Sequence, residues 1–254
     1  MSEQMVMKTR CFVLGDVHGR ANALHEVLAL ANFRDKTDRL ITLGDLVDGG
    51  EDTRGVFDRL VKIKHRIDIA GNHDLWALPW FEFAENPDNV GKRPPEPPLW
   101  FNQGGFWTAK SYNFDPWNVP ESHKNLLRGQ VPYYIDNKNR LFVHGGFNPK
   151  VPIENQSVEM LIWDRTLIKY ARNHTINGYN HVFVGHTSTQ LFLDKLLGRG
   201  AEPITYHNLT LLDCGAGWNG NLCVMNVDDI DEYYLSGIQE PSRMDDQTEE
   251  YSWR

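Results

Sequence analysis

Five short apolar runs each end on a polar motif, and this repeated ending limits the fold more than any other feature of the chain. Residues 11–14 run into Gly15-Asp16, residues 40–43 into Gly44-Asp45, and residues 67–70 into Gly71-Asn72. Residues 141–143 lead into His144, and residues 182–184 into Gly185-His186. Apolar runs of this length, bounded by turn residues, read as buried strands. After the first, Ala21, Leu24, Val27, Leu28 and Ala31 repeat at helical spacing; after the second, Val56, Phe57, Leu60 and Ile63 do the same. The chain therefore opens βαβαβ, an α/β arrangement. Open α/β sheets collect ligands at the carboxyl ends of their strands, so the five motifs are expected to converge on one site.

Composition narrows the class. At 254 residues, with 41% hydrophobic and 24% charged, the chain can bury a substantial core and is neither disordered nor fibrous. One domain is expected over residues 1–236, with a frayed polar tail over 237–254. The net charge of -8 argues against non-specific nucleic-acid binding, though not against a small nucleotide substrate. Cys11, Cys214 and Cys223 show neither metal-ligand spacing nor an even count, so inert thiols in a reducing compartment are expected. No run approaches the ~18 apolar residues of a membrane span. Residues 1–10 also lack the apolar stretch of a signal peptide, so a cytoplasmic protein with no membrane partner is expected.

Two later regions stand apart. Residues 209–213 and 222–227, separated by a glycine-rich stretch, read as a hairpin in a second sheet. Residues 76–128 read as a helical insertion or cap rich in aromatics and proline, and the stretch 76–117 holds five of the eight tryptophans. Its aromatics are expected to pack on the core; the alternative is a substrate wall that stacks planar groups.

The strand ends carry the chemistry. Carboxylate oxygen with imidazole nitrogen suits divalent first-row metals, and Asp16 and His18 lie two apart just beyond a strand. Asp45 occupies the same place after the next strand, where its two oxygens can bridge cations held ~3.5–4 Å apart. Asn72, His144 and His186 would complete two coordination spheres. His25, His181 and His207 are read as structural.

Taken in order, Gly15-Asp-Val-His-Gly19, Gly44-Asp-Leu-Val-Asp-Gly-Gly50, Gly71-Asn-His-Asp74, His144-Gly-Gly146 and Gly185-His-Thr187 resemble the blocks of the calcineurin-like metallophosphoesterases. Within them the chain is most similar to the bacterial and phage branch of the phosphoprotein phosphatases and to the diadenosine tetraphosphatases. The resemblance implies a four-layer α/β/β/α sandwich of two mixed sheets flanked by helices. It also implies two divalent metal ions, manganese foremost, with iron, zinc or nickel as alternatives. Asp16 and His18 would hold the first metal, Asp45 would bridge, and Asn72, His144 and His186 would hold the second. His73, oriented by Asp48, would be the general acid, and hydrolysis would proceed by direct attack of a metal-bridging hydroxide.

At one position the chain departs from the family pattern. The arginine that clamps the substrate phosphate in the second block is replaced by Gly49. Arg165, in Ile162-Trp-Asp-Arg165, resembles a second phosphate-binding arginine, and one guanidinium suffices to balance a phosphate dianion at such a centre. Arg54 is a candidate to reach back in place of the missing clamp, and Asn72 is also a substrate contact. The leading expectation is a phosphomonoesterase acting on a phosphorylated substrate, with phosphoserine or phosphothreonine in proteins foremost. A phosphohydrolase of nucleotides, dinucleoside polyphosphates or nucleic-acid ends is the alternative. An inactive binding scaffold is a third reading, favoured only by Gly49.

Overall fold

The computed structural model describes residues 9–192 and 201–237. Strand β1 (Cys11–Leu14) is followed by α1 (Ala21–Leu30), β2 (Arg39–Thr42), α2 (Thr53–Leu60), β3 (His65–Asp68) and α3 (Asn72–Phe81). A helical stretch with α4 (Pro98–Trp100), α5 (Phe106–Ser111) and α6 (Glu121–Arg128) precedes β4 (Tyr133–Ile135) and β5 (Arg140–Val143). Helices α7 (Val158–Trp163) and α8 (Thr166–Ala171) lead to β6 (His181–Val184). Strands β7 (Ile204–Tyr206), β8 (Leu209–Leu211), β9 (Cys223–Asn226) and β10 (Tyr233–Leu235) follow. The tail expected beyond Gly237 lies outside the described residues.

Two five-stranded sheets result, ordered β10-β9-β1-β2-β3 and β4-β5-β6-β8-β7. Strands β1, β2 and β3 run parallel, as do β5, β6 and β8. Strands β9, β10, β4 and β7 join antiparallel, so both sheets are mixed. Side chains of a strand alternate between faces, and here both faces are covered. Phe12 and Leu14 of β1 pack under the helices with Leu24, Phe57, Leu60 and Trp80. Val13 between them turns to the opposite sheet, where it joins Ile41, Phe142 and Phe183. Phe142 and Phe183 stack there with ring centroids 5.1 Å apart. On the far side Leu141, Val143, Val182 and Val184 meet Leu161, Leu167 and Ile168. Three apolar cores thus separate four layers, the α/β/β/α sandwich.

Residues 209–213 and 222–227 do not form the expected hairpin. Strand β8 lies beside β6 and β7 in the second sheet, whereas β9 lies beside β1 and β10 in the first. The glycine-rich segment between them crosses from sheet to sheet, with Leu212, Cys214 and Cys223 packed in the core it spans. The hairpin partner of β8 is β7, across a two-residue turn at His207-Asn208 in which His207 has a φ of 53°.

Just before β2, Asp38 is buried and bridged at 2.6 Å by both Arg10 and Arg34. Burial alone would raise its pKa, but the hydrogen bonds from Arg34 and Arg10 outweigh it and hold the group at about 2, against 3.8 unperturbed. A depressed carboxylate contributes stability above its unfolded pKa and loses it as pH falls toward the folded value. Asp38→Asn is therefore expected to cost about 2 kcal/mol in urea unfolding at neutral pH. The gap to the parent should narrow as the pH drops from 3.8 toward about 2. A pH-independent gap would assign the effect to packing.

Candidate metal centre

The parallel strands deliver their motifs at their carboxyl ends. Asp16 and His18 follow β1, Asp45 follows β2, and Asn72 and His73 form the first turn of α3 beyond β3. His144 follows β5 and His186 follows β6. All seven side chains are buried.

Asp45 sits at the centre. Its Oδ1 accepts the His73 backbone N–H at 2.9 Å, while its Oδ2 lies 3.4 Å from His144 Nε2 and 3.8 Å from His18 Nε2. Two groups of potential ligand atoms, each with members within 4.8 Å of one another, share it: His18, Asp45 and His73, and Asp45, His144 and His186. Asp16 falls outside the first trio. Its Oδ2 accepts the His186 backbone N–H at 2.9 Å. Its Oδ1 and His18 Nδ1 are buried without a hydrogen-bond partner among the described residues.

Donor and acceptor counting shows that this arrangement fits a cation. His144 Nδ1 is 2.7 Å from the Leu43 carbonyl and must donate to it, which leaves Nε2 as a lone pair in the neutral ring. That nitrogen lies 3.1 Å from Asn72 Oδ1, itself an acceptor, as well as facing Asp45. Converging lone pairs need a positive charge between them, a proton or a metal ion. The His144 pKa expresses the same demand: burial would lower it, yet Asp45 lifts it to about 10. The donor set is carboxylate, imidazole and amide, with no thiolate, which suits borderline to hard divalent metals.

The backbone pays a conformational cost to aim these groups. His18, Asp45 and His186 have φ of 48°, 48° and 62°, in the left-handed region that costs side-chain-bearing residues about 1–2 kcal/mol each. Gly185 precedes His186 because a Cβ there would collide with Asp16 Oδ1.

Beside the carboxylate centre, His73 Nδ1 lies 2.8 Å from Asp48 Oδ2. Burial pushes the Asp48 carboxyl up, against the pull of His73. Burial also favours neutral His73, but Asp45 and Asp48 outweigh it and raise the imidazole pKa. Asp48 is fully buried, and Trp100 and Thr108 of the helical insertion hydrogen-bond its carboxylate.

A cavity of about 130 Å³ opens over these groups, walled by Trp76, Gln103, Trp163, Arg165, Asp213 and Trp218. Ring contacts run from His73 to Trp76, on to Trp163 and then to His186, with centroids 5.0, 5.4 and 5.3 Å apart, joining the two sheets' contributions along one wall. Arg165 is exposed at the rim, its Nε 3.2 Å from His186 Nε2. Arg54 is exposed on α2 and does not line this cavity; its charge is felt by Tyr112 and His123.

The tryptophans of the insertion divide between core and cavity. Trp80 and Trp100 are core residues, whereas Trp76 reaches the cavity. The remaining aromatic wall, Trp163 and Trp218, comes from outside it, and no periodicity marks either one. Asp213, which the block motifs do not include, stands at the end of a sixth apolar run that leads into Asp-Cys-Gly; burial pushes its carboxyl up to about 6. Gly49 has a structural reason. Its φ is 80°, its N–H donates to Gly104 O at 3.3 Å, and the kinked insertion backbone lies directly against it. An arginine there would carry the left-handed strain, so Gly49→Arg is no neutral test of the missing clamp.

A family model of the calcineurin-like phosphoesterases matches residues 9–197. The chain belongs to that family. It is a metal-dependent phosphoesterase, and it is 28% identical over 225 residues to serine/threonine-protein phosphatase 2 of Salmonella typhimurium, covering 85% of this chain and 92% of the relative. A symmetrical bis(5'-nucleosyl)-tetraphosphatase of Coxiella burnetii is 37% identical over 67 residues, 26% of this chain and 23% of that one. Among solved structures, one assigned to a diadenosine tetraphosphatase superposes with a TM-score of 0.63 at 17% identity, covering 91% of this phosphoesterase and 95% of its own chain. No helix among the described residues is long and apolar enough to cross a membrane.

Proposed function

We propose that this phosphoesterase is a phosphomonoesterase of phosphoserine or phosphothreonine in proteins, working in the reducing cytoplasm that its three free cysteines suit. The observation that carries the reading is Asp45, shared by two groups of ligand atoms with the His73–Asp48 pair alongside. In this reading Asp16, His18, Asp45, Asn72, His144 and His186 hold two divalent ions, manganese first and iron, zinc or nickel as alternatives. Such ions supply charge for a phosphate dianion and bring the pKa of water toward neutrality.

The chain's own residues do the rest. Arg165, at the rim, offers charge-assisted hydrogen bonds to phosphoryl oxygens, and the Asn72 amide adds a polar contact. With Nδ1–H held by Asp48, His73 presents Nε2 to the cavity and gives its proton to the departing alkoxide. Asp48 stabilises the imidazolium before that transfer. The tryptophan walls keep bulk water from the reacting oxygens. A protein substrate is favoured because the relative aligned along most of the chain is named a protein phosphatase.

One observation favours the nucleotide reading. Next to the metal cavity, and sharing Arg165, His186 and Trp218 with it, lies a second cavity of about 420 Å³ lined also by Leu191. It has room for a planar apolar group. The purified protein is expected to bind about two divalent ions by elemental analysis and to lose turnover of an aryl phosphate on chelation, regained with manganese. Turnover of a phosphoserine peptide should exceed that of a dinucleoside tetraphosphate. The reverse order would replace the protein substrate with a nucleotide, and activity unaffected by chelation would end the metal reading.

A further inference from the structure

The Asp48 carboxylate is more heavily held than an orienting group for one imidazole requires. Trp100 Nε1 lies 3.0 Å from both of its oxygens, and Thr108 Oγ1 lies 2.7 Å from Oδ1. Both donors come from the insertion, on α4 and α5, and both are buried. Neither belongs to the blocks that carry the family resemblance.

Proton counting orients the two insertion donors in this cluster. An indole N–H can only donate, so Trp100 requires an acceptor on Asp48. The Thr108 hydroxyl accepts the Asp48 backbone N–H at 2.8 Å and lies 3.1 Å from the Thr53 hydroxyl. With one lone pair on the Asp48 N–H and the other available to Thr53, its single proton is left for the carboxylate. Both donors stabilise the ionised form of Asp48, and against an ionised carboxylate the remaining partner at 2.8 Å, His73 Nδ1, carries a hydrogen. The other ring nitrogen, Nε2, is left as the one available to the cavity. By stabilising the ionised carboxylate, the insertion favours the form in which Nε2 of His73 serves the leaving group.

We propose that Trp100 and Thr108 are positioning residues for proton delivery: they lock the Asp48 carboxylate and, through it, the tautomer and ring orientation of His73. This rests on the reading of His73 as the proton donor. It gives the insertion a function beyond covering the core, and it accounts for the insertion backbone being held at the same loop, where Gly49 N–H donates to Gly104 O. The general physical ground is that a donor acts only within a narrow geometry, which its supporting hydrogen bonds must hold.

The test uses the metal-loaded full chain with two substrates, an alkyl phosphate whose leaving oxygen needs a proton and 4-nitrophenyl phosphate, which does not. Thr108→Val and Trp100→Phe should each lower kcat on the alkyl phosphate about tenfold. On the aryl phosphate kcat should stay within about twofold, with KM and metal content unchanged. Thr108→Ser, which restores the hydroxyl, should recover the parent kcat. In a His73→Asn background neither substitution should matter further, because residues that act through a third lose their effect when it is gone.

Equal losses on both substrates, an undiminished loss in the His73→Asn background, or no loss at all would overturn the proposal. His73→Asn alone is read first: if it does not discriminate between the two substrates, the assignment of the donor has failed and the proposal falls with it, a result distinct from failure of the positioning variants. Thr108→Val also leaves the Asp48 N–H without its acceptor, so a thermal melt is taken for each variant. Should Thr108→Val not fold, Trp100→Phe, which deletes one donor and exposes no orphaned backbone group, decides the question.

Discussion

Asp45→Asn is expected to lower kcat for an aryl phosphate by about a thousandfold or more, the largest loss of any single substitution in this chain. The carboxylate is the shared member of both groups of potential ligand atoms, and an amide offers one neutral oxygen where a bridge between two cations would use two anionic ones. Asparagine is the informative replacement because it leaves the rest of the loop intact. It tolerates the φ of 48° better than most side chains, and its amide oxygen can still accept the His73 backbone N–H. Folding should therefore survive while elemental analysis finds fewer than two metal ions per chain. Full turnover with two ions bound would remove Asp45 as the bridge.

The same physics explains why this centre was readable from sequence. Glycine precedes Asp16, Asp45, Asn72 and His186, because a Cβ at these glycine positions would collide with Leu212, Gly71, Asp45 and Asp16 respectively. Buried strands read as unbroken apolar runs when both faces are covered, which is how β1, β2 and β6 announced themselves within a residue or two of their ends. Local signals of this kind need no knowledge of what the strand pairs with. Pairing partners are another matter. The glycine-rich segment before β9 looks like a turn whether it returns to β8 or crosses to the other sheet, and only the packing of Leu212 and Cys223 between the sheets distinguishes the two.

Arg54 and the insertion mark the same boundary. Sequence distance put Arg54 close to Gly49, but its direction depends on which face of α2 is buried against Phe57 and Leu60. The hydrogen bonds from Trp100 and Thr108 to Asp48 span 52 and 60 positions, and neither residue lies in a recognisable block. Side chains that support a reacting group from a distant segment leave no periodic trace. Tryptophan enrichment flagged the region without separating the core residue Trp80 from Trp76 at the cavity.

His73→Asn should separate proton delivery from every other contribution of the site. Its backbone N–H still donates to Asp45, so the ligand loop keeps its anchor, and only the imidazole is lost. An alkoxide leaving group at neutral pH departs slowly without a proton, and general acids contribute about 10²–10⁴-fold to such steps. On a phosphoserine peptide kcat is accordingly expected to fall about 10²–10³-fold, while 4-nitrophenyl phosphate, whose phenolate is stable without protonation, should lose less than about tenfold. Asp48→Asn should give the same pattern more weakly, since His73 remains present but loses the carboxylate that fixes its ring and stabilises its charge. The order of losses on the peptide, His73→Asn above Asp48→Asn above Thr108→Val, follows from distance to the transferred proton. A uniform loss on both substrates would mean that the imidazole holds a ligand or the phosphate in place; the His18–Asp45–His73 grouping makes this a concrete rival, and a matching fall in metal content would identify it.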